Sequence, residues 1–95
     1  MIKLDMQEVT RLIYKLNEKF STLELNNELV QENISKDFAK IKEDLRKNPS
    51  EERIIEGLKK LLIGLRDYSY GNKNLNPLIF DLEEYIKRID ITSDF

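Results

Sequence analysis

The chain contains no cysteine and no histidine. Without cysteine there is neither a disulfide framework nor a thiolate metal site, and nothing calls for an oxidising compartment. Without histidine the usual general base at neutral pH is missing, as is every Ser-His or Cys-His nucleophile pair. Together the two absences remove the common zinc ligands. Three glycines and two prolines are too few turn residues for an architecture of many short strands. Apolar runs do not exceed three residues, as at Leu61-Leu62-Ile63, whereas a bilayer-spanning helix needs roughly 20. The first residues carry charge at Lys3, Asp5, Glu8 and Arg11 and lack the apolar stretch of a secretory signal. The expectation is a cytoplasmic protein with no direct membrane insertion.

An excess of one charge is lacking too. Sixteen basic residues against eighteen acidic give a net charge of −2, which offers no overall attraction to nucleic acid or anionic lipid. What remains is a chain of 95 residues with 40% apolar and 36% charged positions, short enough for one core and suited to helices. A single all-α domain over residues 1–95 is expected.

Apolar spacing divides the chain into four helices, at about 5–20, 27–47, 49–70 and 77–89. Val9, Leu12, Ile13, Leu16 and Phe20 form one stripe, and Asp5 with Glu8 has the form of a capping box. Leu29 or Val30, Ile34, Phe38, Ile41 and Leu45 form a second, which Ser35 allows to be continuous or broken. Ser21–Asn27 reads as a connection in which a short turn of helix is possible. Asn48-Pro49-Ser50-Glu51 suggests a cap with proline at the first helical position. Ile54, Ile55, Leu58, Leu61, Leu62, Leu65 and Tyr68 follow it, and Gly71 is the expected left-handed cap. Asn76-Pro77 repeats that logic, with Leu75 and Phe80 spaced as a hydrophobic staple. The last stripe is Leu78 or Ile79, Leu82, Tyr85 or Ile86, and Ile89, and the tail 90–95 should be loose. Short connections favour an antiparallel four-helix bundle, or a three-helix bundle if the first two helices merge.

Little here carries chemistry, and no enzyme and no cofactor are expected. Glu51-Glu52 and Glu83-Glu84 point about 100° apart on a helix, so neither pair converges on a metal. The isolated glycines make no phosphate loop. Lys36, Lys40, Lys42, Arg46 and Lys47 are interrupted by Asp37, Glu43 and Asp44 and read as a solvated, locally paired face. Gly57 and Gly64, seven apart, each cost about 1 kcal/mol of helix propensity. They serve either close helix packing or a groove for a partner's side chain.

The unusual stretch is Arg66–Leu75, aromatic and polar together at the tip of a helix hairpin. Tyrosine combines contact area with a polar end, which makes Tyr68 and Tyr70 candidates for partner binding. The plain alternative is Tyr68 in the core and Tyr70 as a turn plug.

With the helices placed, the pattern resembles the immunity proteins of class II bacteriocins, the pediocin-like and lactococcin-like group of small four-helix bundles. The similarity runs from about Leu12 to Ile89. It lies in a charged first helix, a long second helix, Pro49-Ser50 opening Ile54-Ile55-x-x-Leu58, and Tyr70-Gly71-Asn72-Lys73-Asn74-Leu75 leading into Leu82-Glu83-Glu84-Tyr85-Ile86. Members of the group often have a strongly basic surface, which this chain lacks. The resemblance implies self-protection of a producer cell against a pore-forming bacteriocin. The protein partner would be the bacteriocin's membrane receptor, the mannose phosphotransferase permease, with the peptide bound. It also implies recognition through the C-terminal half, by position Tyr68, Tyr70, Lys73, Asn74 and Leu75 of the hairpin, and Phe95. The competing reading is a small cytosolic adaptor or antitoxin-like module that binds another protein. A helical enzyme of the chorismate mutase kind would need arginine and glutamate converging in the core, where the stripes are apolar.

Overall fold

The structure, a computed structural model, describes residues 4–25, 27–47 and 50–89. Four α-helices form among them: α1 (Met6–Ser21), α2 (Glu28–Arg46), α3 (Glu51–Ser69) and α4 (Asn76–Ile89), with a short 3-10 turn at Lys73–Leu75 before α4. The described residues contain no strand.

The first three helices each begin where a short polar side chain can replace a missing backbone partner. Asp5 Oδ1 accepts from the backbone N–H of Gln7 at 3.0 Å and of Glu8 at 3.3 Å. Only half of the expected capping box forms, because the Glu8 carboxylate accepts from Arg88 of α4 at 2.8 Å instead of turning back. Asn27 caps α2 through Leu29 N–H at 2.8 Å. For α3 the cap is Ser50, whose Oγ accepts from Arg53 N–H at 3.2 Å. The helix therefore starts at Glu51 and not at Pro49; Asn48 and Pro49 themselves lie outside the described residues, as does the tail 90–95. α2 runs unbroken through Ser35, and no helical turn forms at 22–25.

The bundle is antiparallel, as the paired residues show. Across α1 and α2, the Lys42 ammonium lies 4.7 Å from the centre of the Tyr14 ring, and Phe20 meets Phe38 at 5.7 Å between ring centres. Across α2 and α3, Asp44 pairs with Arg53 at 3.6 Å, and Asn33 donates to Tyr68 at 3.0 Å. Across α1 and α4, Arg88 meets Glu8 and Lys19 meets Asp81 at 3.6 Å. Across each helix pair, a later residue on one helix meets an earlier residue on the other. Backbone contacts pass from α1 to α2, α2 to α3, α3 to α4 and α4 back to α1. This is the up-and-down arrangement that short loops permit, with extents of 40 × 28 × 17 Å.

The core is the sum of the four stripes. Val9, Ile13, Leu16 and Phe20 face Val30, Ile34, Phe38 and Ile41, and all six expected aliphatic positions of α3 from Ile54 to Leu65 are buried. Of the alternatives on α2, Val30 is buried and Leu29 exposed; on α4, Leu78, Ile79, Tyr85 and Ile86 are all buried. Leu12, Leu45, Tyr68 and Ile89 pack at the margin, and Leu23 and Leu25 of the first loop also lean on the core. Burial of these side chains, at roughly 1.5–3 kcal/mol each, is the main force holding the helices together.

Candidate recognition surfaces

One end of the bundle carries the α1–α2 loop and the α3–α4 connection, and Asn74 Nδ2 joins them by donating to the Glu24 carbonyl at 3.0 Å. The connection is itself anchored. Asn72 is nearly buried and its side-chain amide donates to the Tyr68 carbonyl at 3.2 Å, while its own carbonyl accepts from Leu75 N–H at 3.0 Å. Asn72 thus ties the connection back to the last turn of α3, and Gly71 does not take the left-handed conformation expected of it. Asn76 has helical dihedrals, so it is the first residue of α4 and not its cap. The 3-10 turn feeds directly into the helix, and Asn76 N–H bonds to the Lys73 carbonyl.

This geometry divides the sequence-based candidates. Leu75 is fully buried and is a core residue, which removes it as a partner contact. The staple with Phe80 does not form, because Leu75 turns inward at the 3-10 turn while Phe80 stays 64% exposed. Tyr68 is half-buried on the α2 side, its hydroxyl accepting from Asn33. Tyr70 is 91% exposed, so it plugs no turn, and Lys73 and Asn74 are exposed beside it. Phe95 lies outside the described residues. The tip therefore consists of Tyr70 and Lys73 held out on an anchored backbone.

A second surface lies along α2 and α3. Two adjoining recesses, of about 290 Å³ and 480 Å³, share Asp37, Lys40 and Lys60. The first extends over Ile41 and Gly57 towards the Asp44–Arg53 pair, and the second over Gly64 and Ile63 towards Asn33 and Tyr68. Both readings of the glycine pair find a place here. A Cβ on Gly57 would stand 3.1 Å from Ile41 Cγ1, which is close packing, whereas at Gly64 the nearest atom is Asp37 Oδ2 at 3.4 Å. Sequence reasoning placed Lys36, Lys40 and Asp37 on a solvated face and passed over Lys60. The signal was present: Lys60 lies three residues after Gly57 and four before Gly64, on the glycine face of the helix.

Among the described residues no group of three or more acidic, histidine or cysteine side chains is placed to hold a metal ion, and no helix is long and apolar enough to cross a membrane. Two groups are perturbed. Burial, reinforced by the Glu8 carboxylate, pushes the Tyr85 phenol up to about 12, with the Arg88 guanidinium acting in the opposite direction. A hydrogen bond from Lys47, with its positive charge, lowers Glu43; both partners are exposed, so this is a surface pair. Neither perturbed group faces the tip or the shared recesses.

No family model, curated protein or solved structure matches the chain. The reading of function therefore rests on the residues and their placement.

Proposed function

We propose that the chain is a non-catalytic binding protein of the bacteriocin immunity type, which protects its producer cell by engaging a bacteriocin–receptor complex through the α3–α4 tip. One observation carries the binding reading: Tyr70 is 91% exposed on a connection held by Asn72, Leu75 and the Asn74–Glu24 bond. An exposed aromatic residue on a fixed backbone offers contact area with little ordering left to pay on binding. Lys73 adds a charge that orients the encounter. The immunity assignment is supported by the sequence resemblance and by the four-helix form it implies.

The test is expression of the chain in bacteriocin-sensitive cells. Survival should rise against at least one class II peptide, and Tyr70→Ala with Lys73→Glu should abolish the gain while leaving Tm unchanged. Absence of protection across a broad panel overturns the immunity assignment. A second reading, an adaptor or antitoxin-like module for another cytosolic protein, draws support from the α2–α3 groove, a face separate from the tip.

A further inference from the structure

The four seams of the bundle are not equally close. Among the described residues the α2 and α3 backbones approach each other most, α3 and α4 nearly as much, and α1 and α4 least. The sequence accounts for the difference. Gly57 leaves room for Ile41 to come within 3.1 Å of where its Cβ would stand, whereas α1 and α4 contain neither glycine nor alanine, so full side chains hold their axes apart. α1 and α4 are also not consecutive, and no short connection ties one to the other. In this widest seam lies Tyr85, almost wholly buried, with Glu8 and Asp5 of α1 close enough to act on its phenol. Its hydroxyl has no hydrogen-bond partner among the described residues. The rim of the seam is closed by Glu8–Arg88 and Lys19–Asp81, both substantially exposed, and pairs of that kind exchange for water at little cost.

From these observations we infer that α1 is a lid, which swings off α2 and α4 as one unit while α2, α3 and α4 stay packed. The hinge is the start of the α1–α2 connection. Glu24 beyond it remains bound to Asn74, so the movement is confined to the residues before it. Opening separates Phe20 from Phe38 and Tyr14 from Lys42, parts both rim pairs and lets water reach the Tyr85 hydroxyl. Regions with few close contacts open below the free energy of global unfolding. Here the widest seam also encloses a polar atom that gains a partner only on opening. The lid lies apart from the Tyr70 tip and does not depend on the immunity reading.

Hydrogen exchange of the full-length, isotope-labelled chain, followed by NMR at increasing urea below the unfolding transition, is the test. Relative to their unstructured rates, amides of residues 9–20 should exchange at least about tenfold faster than the slowest amides of α2 and α3. They should share one urea dependence, shallower than that of global unfolding. Two variants separate the local opening from the global one. Gly64→Ala strengthens an element that stays folded, so it should slow the slowest amides of α3 and leave those of α1 within about twofold. Tyr85→Phe removes the cost of closing over an unpaired hydroxyl, so it should slow α1 by at least about twofold. Exchange of α1 together with the slowest amides of α3, at the same urea dependence, would overturn the proposal. So would α1 amides that each follow a dependence of their own, an α1 slowed by Gly64→Ala as much as α3 is, or an α1 indifferent to Tyr85→Phe.

Discussion

A Cβ built on Gly57 would lie 3.1 Å from Cγ1 of Ile41, and the same construction at Gly64 meets only Asp37 Oδ2 at 3.4 Å. Two glycines seven residues apart on one helix face therefore have different roles. Replacing a mid-helix glycine by alanine gains about 1 kcal/mol of propensity in either case. At Gly64 the Asp37 carboxylate can swing aside, so Gly64→Ala should raise stability by roughly 0.5–1 kcal/mol. Ile41 is buried and held by its neighbours, so Gly57→Ala should recover little of that gain. Urea unfolding of the two variants should place Gly57→Ala below Gly64→Ala. The reverse order would mean that α2 yields at Ile41 more easily than its burial suggests.

Tyr85 is almost completely buried, and its hydroxyl has no hydrogen-bond partner among the described residues. An unpaired buried hydroxyl costs about 1–3 kcal/mol of desolvation, so Tyr85→Phe should stabilise the bundle by roughly 0.5–2 kcal/mol. The same burial raises the phenol to about 12 from an ordinary value of 10.0. The folded state then keeps its proton where the unfolded chain has released it. That contribution is fully present below pH 10 and is lost as pH rises towards 12. Tm measured from pH 9 to 12 should fall more steeply for the native chain than for Tyr85→Phe; parallel curves would show that the phenol does not contribute.

Most of the fold was legible in the sequence because each helix hides one stripe, and the 3.6-residue period marks the stripe directly. The choice of Val30 over Leu29 was not legible, since adjacent residues differ by 100° and only packing against α1 and α3 decides between them. The caps of α3 and α4 were misplaced for a related reason. Asn48, Ser50, Asn72 and Asn76 are all competent polar residues within a few positions of a helix end, and the 3-10 turn that favours Asn72 follows from the burial of Leu75, a tertiary event. The candidate tip was legible as a stretch but not residue by residue. Tyr70 and Leu75 both looked like contact residues, and the fold sends one outward and the other inward.

Ser50 offers a test of the reassigned α3 cap. Its hydroxyl satisfies Arg53 N–H at 3.2 Å, a group with no other partner among the described residues. Ser50→Ala should cost about 1 kcal/mol, and Ser50→Asp should retain stability, because the carboxylate accepts the same bond and favours the positive end of the helix dipole. Thermal unfolding of the two variants checks this. If both match the native chain, the start of α3 is held by something other than Ser50.

The division between Tyr70 and Leu75 can be read in one pair of variants. Leu75 has no solvent exposure and packs where the 3-10 turn meets α3 and α4, so Leu75→Ala removes buried methyl groups and leaves a cavity at a site with little room to collapse. A loss of about 2–5 kcal/mol is expected, large against the total stability of a 95-residue domain. Tyr70 has almost no contact to lose, and Tyr70→Ala should stay within about 0.5 kcal/mol of the native chain. Protection in cells should show the complementary logic. Tyr70→Ala should lose it at full stability, whereas Leu75→Ala should lose it only as the protein unfolds, and lowering the growth temperature should bring protection back. If Leu75→Ala is stable and still inactive, Leu75 is a contact residue after all and the tip opens on binding.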